Sequence, residues 1–209
     1  MIRTSAIFLL FLGAALAACA KTSSKTQGAG KDGSLDGLAV ATFASGCFWC
    51  VEAIYESVNG VHEAVSGYSG GESKDPSYRN KGGHAESVQV YYDPKVVSFA
   101  DLIEVYFNSQ DPTQVNGQGN DRGAAYRSII FYRTPEEKQI AEKAKADLAA
   151  SGKYDRPIAA EIQPFVHFKE AEDYHQDFER NNPDNPYVQN VSIPRLERFK
   201  QQCPALIKK

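Results

Sequence analysis

The sequence predicts an α+β fold: a single-domain, two-layer α/β sandwich with a mixed sheet, preceded by an export segment. Three observations carry that reading. The chain has 209 residues, 42% hydrophobic, 23% charged and with 16 glycines, which suits one core of ordinary size and excludes wholesale disorder, collagen and a polytopic membrane protein. Apolar, β-tolerant segments are interleaved with segments of helical spacing. The connections between them are uneven in length, and no internal repeat is visible.

The elements follow in order. Leu38 to Ala44 is short and apolar and reads as a buried strand, broken by Gly46. Phe48, Val51, Ile54, Tyr55 and Val58 recur at helical spacing, and Asn59-Gly60 ends that helix. Val61 to Tyr68 reads as a strand, Gly67 to Gly83 as a glycine-rich loop, and Ala85 to Tyr92 as another strand. Ser98 with Asp101 forms a capping box, which predicts a helix from Phe99 to Asn108. Asp111 to Gly123 reads as a loop and Ala125 to Arg133 as a strand. Thr134-Pro135-Glu136-Glu137 supplies an N-cap, a proline in the first turn and acids near the helix start, so a helix should run to about Ser151 before Gly152. Ile158 to Phe165 is expected as a strand, Lys169 to about Arg180 as a short helix, and Pro194 to Gln202 as a last helix.

Formal net charge is −3. With no basic field, nucleic acid is not an expected partner. A monomer is expected.

The N-terminus reads as an address. Arg3 precedes an apolar run from Ala6 to Ala18, long enough for a signal-peptide core and too short to span a membrane. Leu16-Ala17-Ala18-Cys19 resembles the bacterial lipobox, which implies cleavage after residue 18 and a lipid on Cys19 that tethers the mature chain to a membrane. Ala20 follows that cysteine, and by the lipobox rule this favours the outer membrane, facing the periplasm, in a Gram-negative source. Lys21 to Gly37 is too polar to offset its ordering entropy and reads as a tether. The expected organisation is therefore signal peptide 1–18, lipidated Cys19 and tether 19–37, and a catalytic domain 38–209.

Four cysteines are too few for a disulfide scaffold. Cys47 and Cys50 form a C-x-x-C at the junction of the first strand and first helix. Cys47 would sit at the helix N-terminus, where free N–H groups and the helix dipole favour a thiolate. Cys50, three residues on, is in range for a disulfide. The same motif could be an inert disulfide or half a zinc site. His62, His84, His167 and His175 are dispersed, so no second ligand pair is evident and no metal is expected. Phe48 and Trp49 are two bulky neighbours that cannot both face the core; one of them can wall a site beside the thiol.

Gly46-Cys47-Phe48-Trp49 resembles the active-site signature of the A-type peptide methionine sulfoxide reductases. Four further blocks are similar in the same order: Gly67-Tyr68-Ser69-Gly70-Gly71 with Pro76-Ser77-Tyr78; Gly83-His84-Ala85-Glu86 with Tyr92-Asp93-Pro94; Asp111-Pro112-Thr113 with Gln118-Gly119-Asn120-Asp121 and Tyr126-Arg127-Ser128; and Tyr174-His175-Gln176-Asp177. The likeness spans roughly residues 38 to 200.

That resemblance implies reduction of methionine-S-sulfoxide, free or in proteins, with no cofactor. It assigns Cys47 as the nucleophile, Phe48 and Trp49 as the pocket for the substrate methyl group, and Glu86 as a protonated carboxyl that polarises the sulfoxide oxygen. Tyr78 and Tyr126 would hydrogen-bond that oxygen, and Asp111 would sit in the same polar network. A neutral carboxyl at pH 7 needs apolar surroundings, and phenols are suitable neutral donors, so the residue types fit the chemistry. Cys47 would become a sulfenic acid that a second thiol condenses with. Cys50 departs from the family's usual glycine and is the expected resolving residue; Cys203, near the C-terminus, is a possible second one. An exported thioredoxin-like dithiol donor would recycle the disulfide, because cytosolic thioredoxin cannot reach an exported enzyme. Two rival readings use the same residues: a lipid-anchored thiol–disulfide oxidoreductase working through Cys47–Cys50, and a non-enzymatic lipoprotein that grips methionine-like side chains.

Overall fold

The computed structural model describes residues 37–209. The export segment, Cys19 and the tether lie outside the described residues, apart from Gly37. Among the described residues no helix is long and apolar enough to cross a membrane.

The framework is a mixed sheet of six strands, β1 (Ala39–Ser45), β2 (Val61–Ser69), β3 (Ala85–Tyr92), β6 (Ser128–Tyr132), β7 (Glu161–Pro164) and β8 (Phe168–Glu170), in the order β7-β6-β1-β3-β2-β8. All neighbours are antiparallel except β6 and β7, which are parallel. β1 is central and its residues Ala41 to Ser45 are buried without interruption, as expected for a strand covered on both faces. One face carries the main core, where Phe43 stacks on Tyr55 at 5.0 Å and on Phe99 at 6.1 Å. The other carries a smaller cluster of Ala44, Ala85, Ile129 and Phe131, with Phe165 against it.

Helices α1 (Phe48–Glu56), α2 (Phe99–Asn108) and α3 (Pro135–Ala150) cover the sheet. Their starts are set locally. Ser98 and Asp101 exchange both bonds of the capping box, at 3.1 and 2.8 Å, and Thr134 Oγ1 accepts from Glu137 N at 3.1 Å ahead of Pro135. A π-helical turn (Val188–Ser192) leads into α5 (Ile193–Gln202), which packs on α1 and α2. The last residues are pinned to the end of α1: Asn59 N donates to Leu206 O, and Lys208 N to Ser57 O, at 2.7 and 2.9 Å.

Four expectations need correction. Within Asp111 to Gly123, β4 (Gly117–Gln118) and β5 (Asp121–Arg122) form a short hairpin. The strand expected from Ala125 begins at Ser128, because the left-handed Gly123 starts a 3-10 turn, Ala124–Tyr126. Arg127 then ties that turn to the preceding loop through the carbonyls of Ala124, Gly70 and Gly83. The strand expected over Ile158 to Phe165 shrinks to β7. The helix expected from Lys169 to Arg180 is instead edge strand β8, a 3-10 turn (Asp173–His175) and a single turn, α4 (Phe178–Asn181). Asp177, at φ +55°, breaks any continuous helix there. Gly67 makes the edge pairing possible: a Cβ on it would lie 2.3 Å from the Phe168 ring and 2.4 Å from Lys169 O.

Candidate active site

The strand-to-helix turn builds the centre of the site. Gly46 adopts φ +90°, and a Cβ there would lie 2.6 Å from Gln118 Cβ, so both backbone and space require glycine. Cys47 follows as the N-cap of α1, buried, with its side chain making no capping bond. The first amide of the helix is taken by another group: Phe48 N donates to Glu86 Oε2 at 3.2 Å.

Glu86 comes from β3, opposite Tyr68 on β2, and is 1% exposed. Burial disfavours its anion and raises its pKa to about 7, against the opposing pull of the Lys81 ammonium and the Phe48 amide. Lys81 Nζ stands 3.3 Å from Oε1 at ion-pair range, while that oxygen has no aligned hydrogen bond among the described residues.

Two phenols complete this side. Tyr78, in the loop before β3, is fixed by its amide donating to Glu172 Oε1 at 3.0 Å, by Lys81 over its ring at 4.3 Å, and by stacking with Phe48 at 6.4 Å. Tyr126 sits on the 3-10 turn before β6. Burial first, and then the Glu86 charge, push both phenol pKa values up, so both remain O–H donors across the neutral range. Phe48 points inward and is buried, whereas Trp49 stays partly exposed. Trp49 stacks flat on Phe178 at 3.6 Å and donates its indole N–H to His175 Nδ1 at 3.1 Å. The His175 ring in turn lies 5.0 Å from Phe48 and 4.4 Å from Tyr78. The result is a cluster of packed aromatic rings on the turn that carries Cys47.

Cys50 occupies a different environment one turn along α1. Its Sγ is 3.0 Å from Ser192 Oγ and 3.8 Å from Tyr187 OH. The hydrogen bond from Cys47, the Arg195 charge and the Ser192 and Tyr187 hydroxyls lower its pKa to about 6 against the effect of burial. Cys47 moves the other way, raised by burial and by the adjacent Cys50 and Glu86. The sequence suggested that the helix N-terminus would hold a Cys47 thiolate. In the fold the Phe48 amide donates to Glu86, while burial and the adjacent Cys50 and Glu86 push the Cys47 pKa up and the Cys47 hydrogen bond, with Arg195, draws that of Cys50 down. Buried Arg195 fixes the surroundings, donating to Ser109 O at 2.8 Å and Ser45 O at 2.9 Å.

The model of the family described as peptide methionine sulfoxide reductase matches residues 39–206. The chain belongs to this family. A peptide methionine sulfoxide reductase of Synechocystis is 47% identical over 171 residues, covering 79% of this chain and 80% of the relative. One of Rhodopirellula baltica is 44% identical over 176 residues, covering 82% and 91%. Among solved structures, the reduced form of Mxr1 from Saccharomyces cerevisiae superposes with a TM-score of 0.66 at 32% identity, covering 71% of this chain and 87% of that one. Methionine sulfoxide reductase A of Corynebacterium diphtheriae gives 0.65 at 33% identity, covering 72% and 77%.

For this reductase-family chain, the fold gathers Phe48, Trp49, Tyr78, Glu86 and Tyr126 around Cys47, with Cys50 beside them. It sets Asp111 apart. The Asp111 carboxylate accepts from Thr113 N and Oγ1 at 3.0 and 2.6 Å, from Gln114, and from Arg156. Burial pulls its pKa upward, but these bonds win and the net shift is down. Asp111 reaches the site only through Gln118, whose side chain brackets its backbone at 3.1 Å and packs on Gly46. The acid that does reach the site is Asp121, which accepts from Tyr187 OH at 2.6 Å. Asp121 and His175 both lie in blocks that carried the family resemblance, so the signal existed. Tyr187, in an Asn- and Pro-rich stretch, carried none.

Cys203 is buried at the end of α5. Its pKa is raised by burial and then by Glu104, with Lys153 and Asn108 opposing, so its neighbours belong to α2 and the segment after α3, not to the aromatic cluster on the Cys47 turn. As for metals, Glu52, Glu56 and Asp177 bring carboxylate oxygens within 4.8 Å of one another, but Glu52 is already bonded to Ser66 Oγ and the Asp177 amide.

Proposed function

We propose that this chain reduces methionine-S-sulfoxide, free or in proteins, to methionine. The observation that carries the reading is Glu86: a buried carboxyl poised near neutrality, one helix amide from Cys47, with two phenols beside it.

The chemistry follows from those groups. The substrate methyl rests on Phe48 and Trp49, and the sulfoxide oxygen faces Glu86, Tyr78 and Tyr126. Cys47 sulfur attacks the substrate sulfur; its proton passes to the Cys50 anion, while Glu86 protonates the oxygen. Oxygen moves to Cys47, giving a sulfenic acid, and methionine leaves. Cys50 then attacks Cys47, the S–S bond forms and the hydroxyl departs as water. In sum, one sulfoxide, the Cys47 thiol, the Cys50 thiolate and the proton given by Glu86 yield one thioether, one disulfide and one water. A thioredoxin-like dithiol donor, oxidised to its own disulfide, restores both thiols. No cofactor enters this scheme.

The proposed setting is outside the cytoplasm, with a lipid on Cys19 holding the domain to a membrane and repair directed at exported proteins. The Leu16-Ala17-Ala18-Cys19 pattern supports that part; metabolic labelling with a radioactive fatty acid tests it, and an unlabelled, freely soluble product rejects it.

The catalytic reading is tested by rapid mixing of reduced protein with the separated S and R sulfoxides. Methionine should appear from the S form alone, at a rate that falls about tenfold per pH unit above the Glu86 pKa of about 7. A rate independent of Glu86 removes that residue's role. Absence of methionine, with exchange on model disulfides instead, favours the thiol–disulfide oxidoreductase.

A further inference from the structure

Lys81 takes no part in the chemistry above, yet its charge lies against the acid that does. It sits in the loop between β2 and β3, and backbone bonds give that loop a fixed frame. Ser77 and Asn80 exchange bonds at 3.0 and 3.1 Å, Asn80 Oδ1 accepts from Gly82 N at 3.2 Å, and Lys81 O accepts from His84 N at 2.9 Å. Buried His84 closes the frame, bonded to Gly71 N at 3.2 Å and to Ser73 O at 2.8 Å. The Lys81 side chain turns inward from it and is 19% exposed, against 76% for the solvated Lys143 of α3.

The ammonium makes three contacts there. It stands 3.3 Å from Glu86 Oε1, donates to Tyr78 O at 3.1 Å and lies 4.3 Å from the centre of the Tyr78 ring. Glu86 Oε2 is taken by Phe48 N at 3.2 Å, whereas Oε1 has no aligned hydrogen bond among the described residues. The other groups found against the carboxyl are Cys47 and Phe48 of α1, Tyr68 of β2, Tyr78 of the loop, Tyr126 of the 3-10 turn and Asp121 of β5, and none of these is a cation. A buried carboxylate without a counter-charge is costly. Protonation of a sulfoxide oxygen creates one: the Glu86 O–H bond breaks toward that oxygen, and its electron pair stays on the carboxylate.

We propose that Lys81 is a positioning residue whose ammonium is the counter-ion of the carboxylate that Glu86 becomes on giving up its proton, while the same ammonium holds Tyr78 beside it. The proposal rests on the reductase reading above. Lys81 itself gives up no proton, and the carboxylate regains its own from water once the product has left. The effect has a sign. A cation favours the anion, so it makes Glu86 a stronger acid and lowers the pH at which the proton is lost. The Glu86 pKa of about 7 is where burial leaves it after Lys81, the largest opposing influence, has drawn it down. Without that charge the carboxyl holds its proton to higher pH and delivers it less readily.

The test is the pH dependence of the methionine burst, measured on reduced full-length protein in single turnovers with methionine-S-sulfoxide. Lys81→Gln keeps a donor for Tyr78 O but removes the charge. It should move the alkaline midpoint up by about one unit and lower the rate on the plateau below it by about threefold to tenfold. Lys81→Arg keeps the charge and should restore the wild-type midpoint with most of the rate. Glu86→Gln lacks the titrating group, so adding Lys81→Gln to it should move no midpoint; a shift that persists there overturns the proposal. A midpoint in Lys81→Gln that stays at the wild-type pH also overturns it, even where the rate falls, because a uniform fall is what a loosened Tyr78 alone would give. Wild type that yields no methionine overturns the reductase reading itself, and that outcome is distinct because it appears before any variant is compared.

Discussion

The two thiols of the C-x-x-C sit one helical turn apart in opposite surroundings. On the Cys47 side, burial dominates, the nearest acid is a raised Glu86, and the rings of Phe48, Trp49, Tyr78 and His175 pack together. On the Cys50 side, Ser192, Tyr187 and Arg195 converge, and the thiol acidity rises. The difference teaches a division of labour. Aromatic surroundings with a near-neutral carboxyl suit a substrate that carries no net charge at its reacting group and needs a proton delivered. A hydroxyl-lined, cationic shell suits a sulfur that must wait as an anion. Helix position alone does not set thiol acidity: the Phe48 amide, which would favour a Cys47 anion, is donated to Glu86.

The comparison can be broken at its strongest point first. Cys47→Ser should abolish methionine formation, since a hydroxyl is a far weaker nucleophile; retained turnover would place the attacking sulfur elsewhere. Glu86→Gln should slow methionine formation by about 10²-fold while leaving Cys50 as reactive toward iodoacetamide as before. Cys50→Ser should leave one methionine per enzyme and then stall with a dithiol donor, which steady-state and single-turnover assays distinguish. Arg195→Met should raise the midpoint pH of Cys50 alkylation by about one unit, and also lower Tm because the Ser109 and Ser45 carbonyls lose their donor. Smallest is a change remote from both thiols: Ser98→Ala should cost about 1 kcal/mol of stability through the α2 cap, with activity intact.

What could be read from the sequence was local. The capping box of Ser98 and Asp101, the Thr134-Pro135 start and the buried β1 each depend on neighbours in the chain. The strand order β7-β6-β1-β3-β2-β8 depends on long-range pairing and left no local mark. Edge strand β8 was misread as helix because Lys169 and Glu170 have helical propensity, whereas backbone bonds to β2 over Gly67 decide its state. The site divides in the same way. Cys47, Phe48, Trp49, Glu86, Tyr78 and Tyr126 lay in recognisable blocks. Asp111 and Asp121 shared one block, and only the β4–β5 turn decides which faces the thiols. Ser192, Arg195 and Tyr187 reach Cys50 across more than a hundred residues of sequence, and nothing in their own surroundings marked them.

The central claim is that Cys47 reacts and Cys50 resolves. The direct measurement mixes fully reduced protein with excess methionine-S-sulfoxide and no donor, counts methionine per enzyme, and maps the disulfide by mass spectrometry. The account predicts about one methionine and a Cys47–Cys50 bond. A Cys47–Cys203 bond, or no methionine at all, would contradict it.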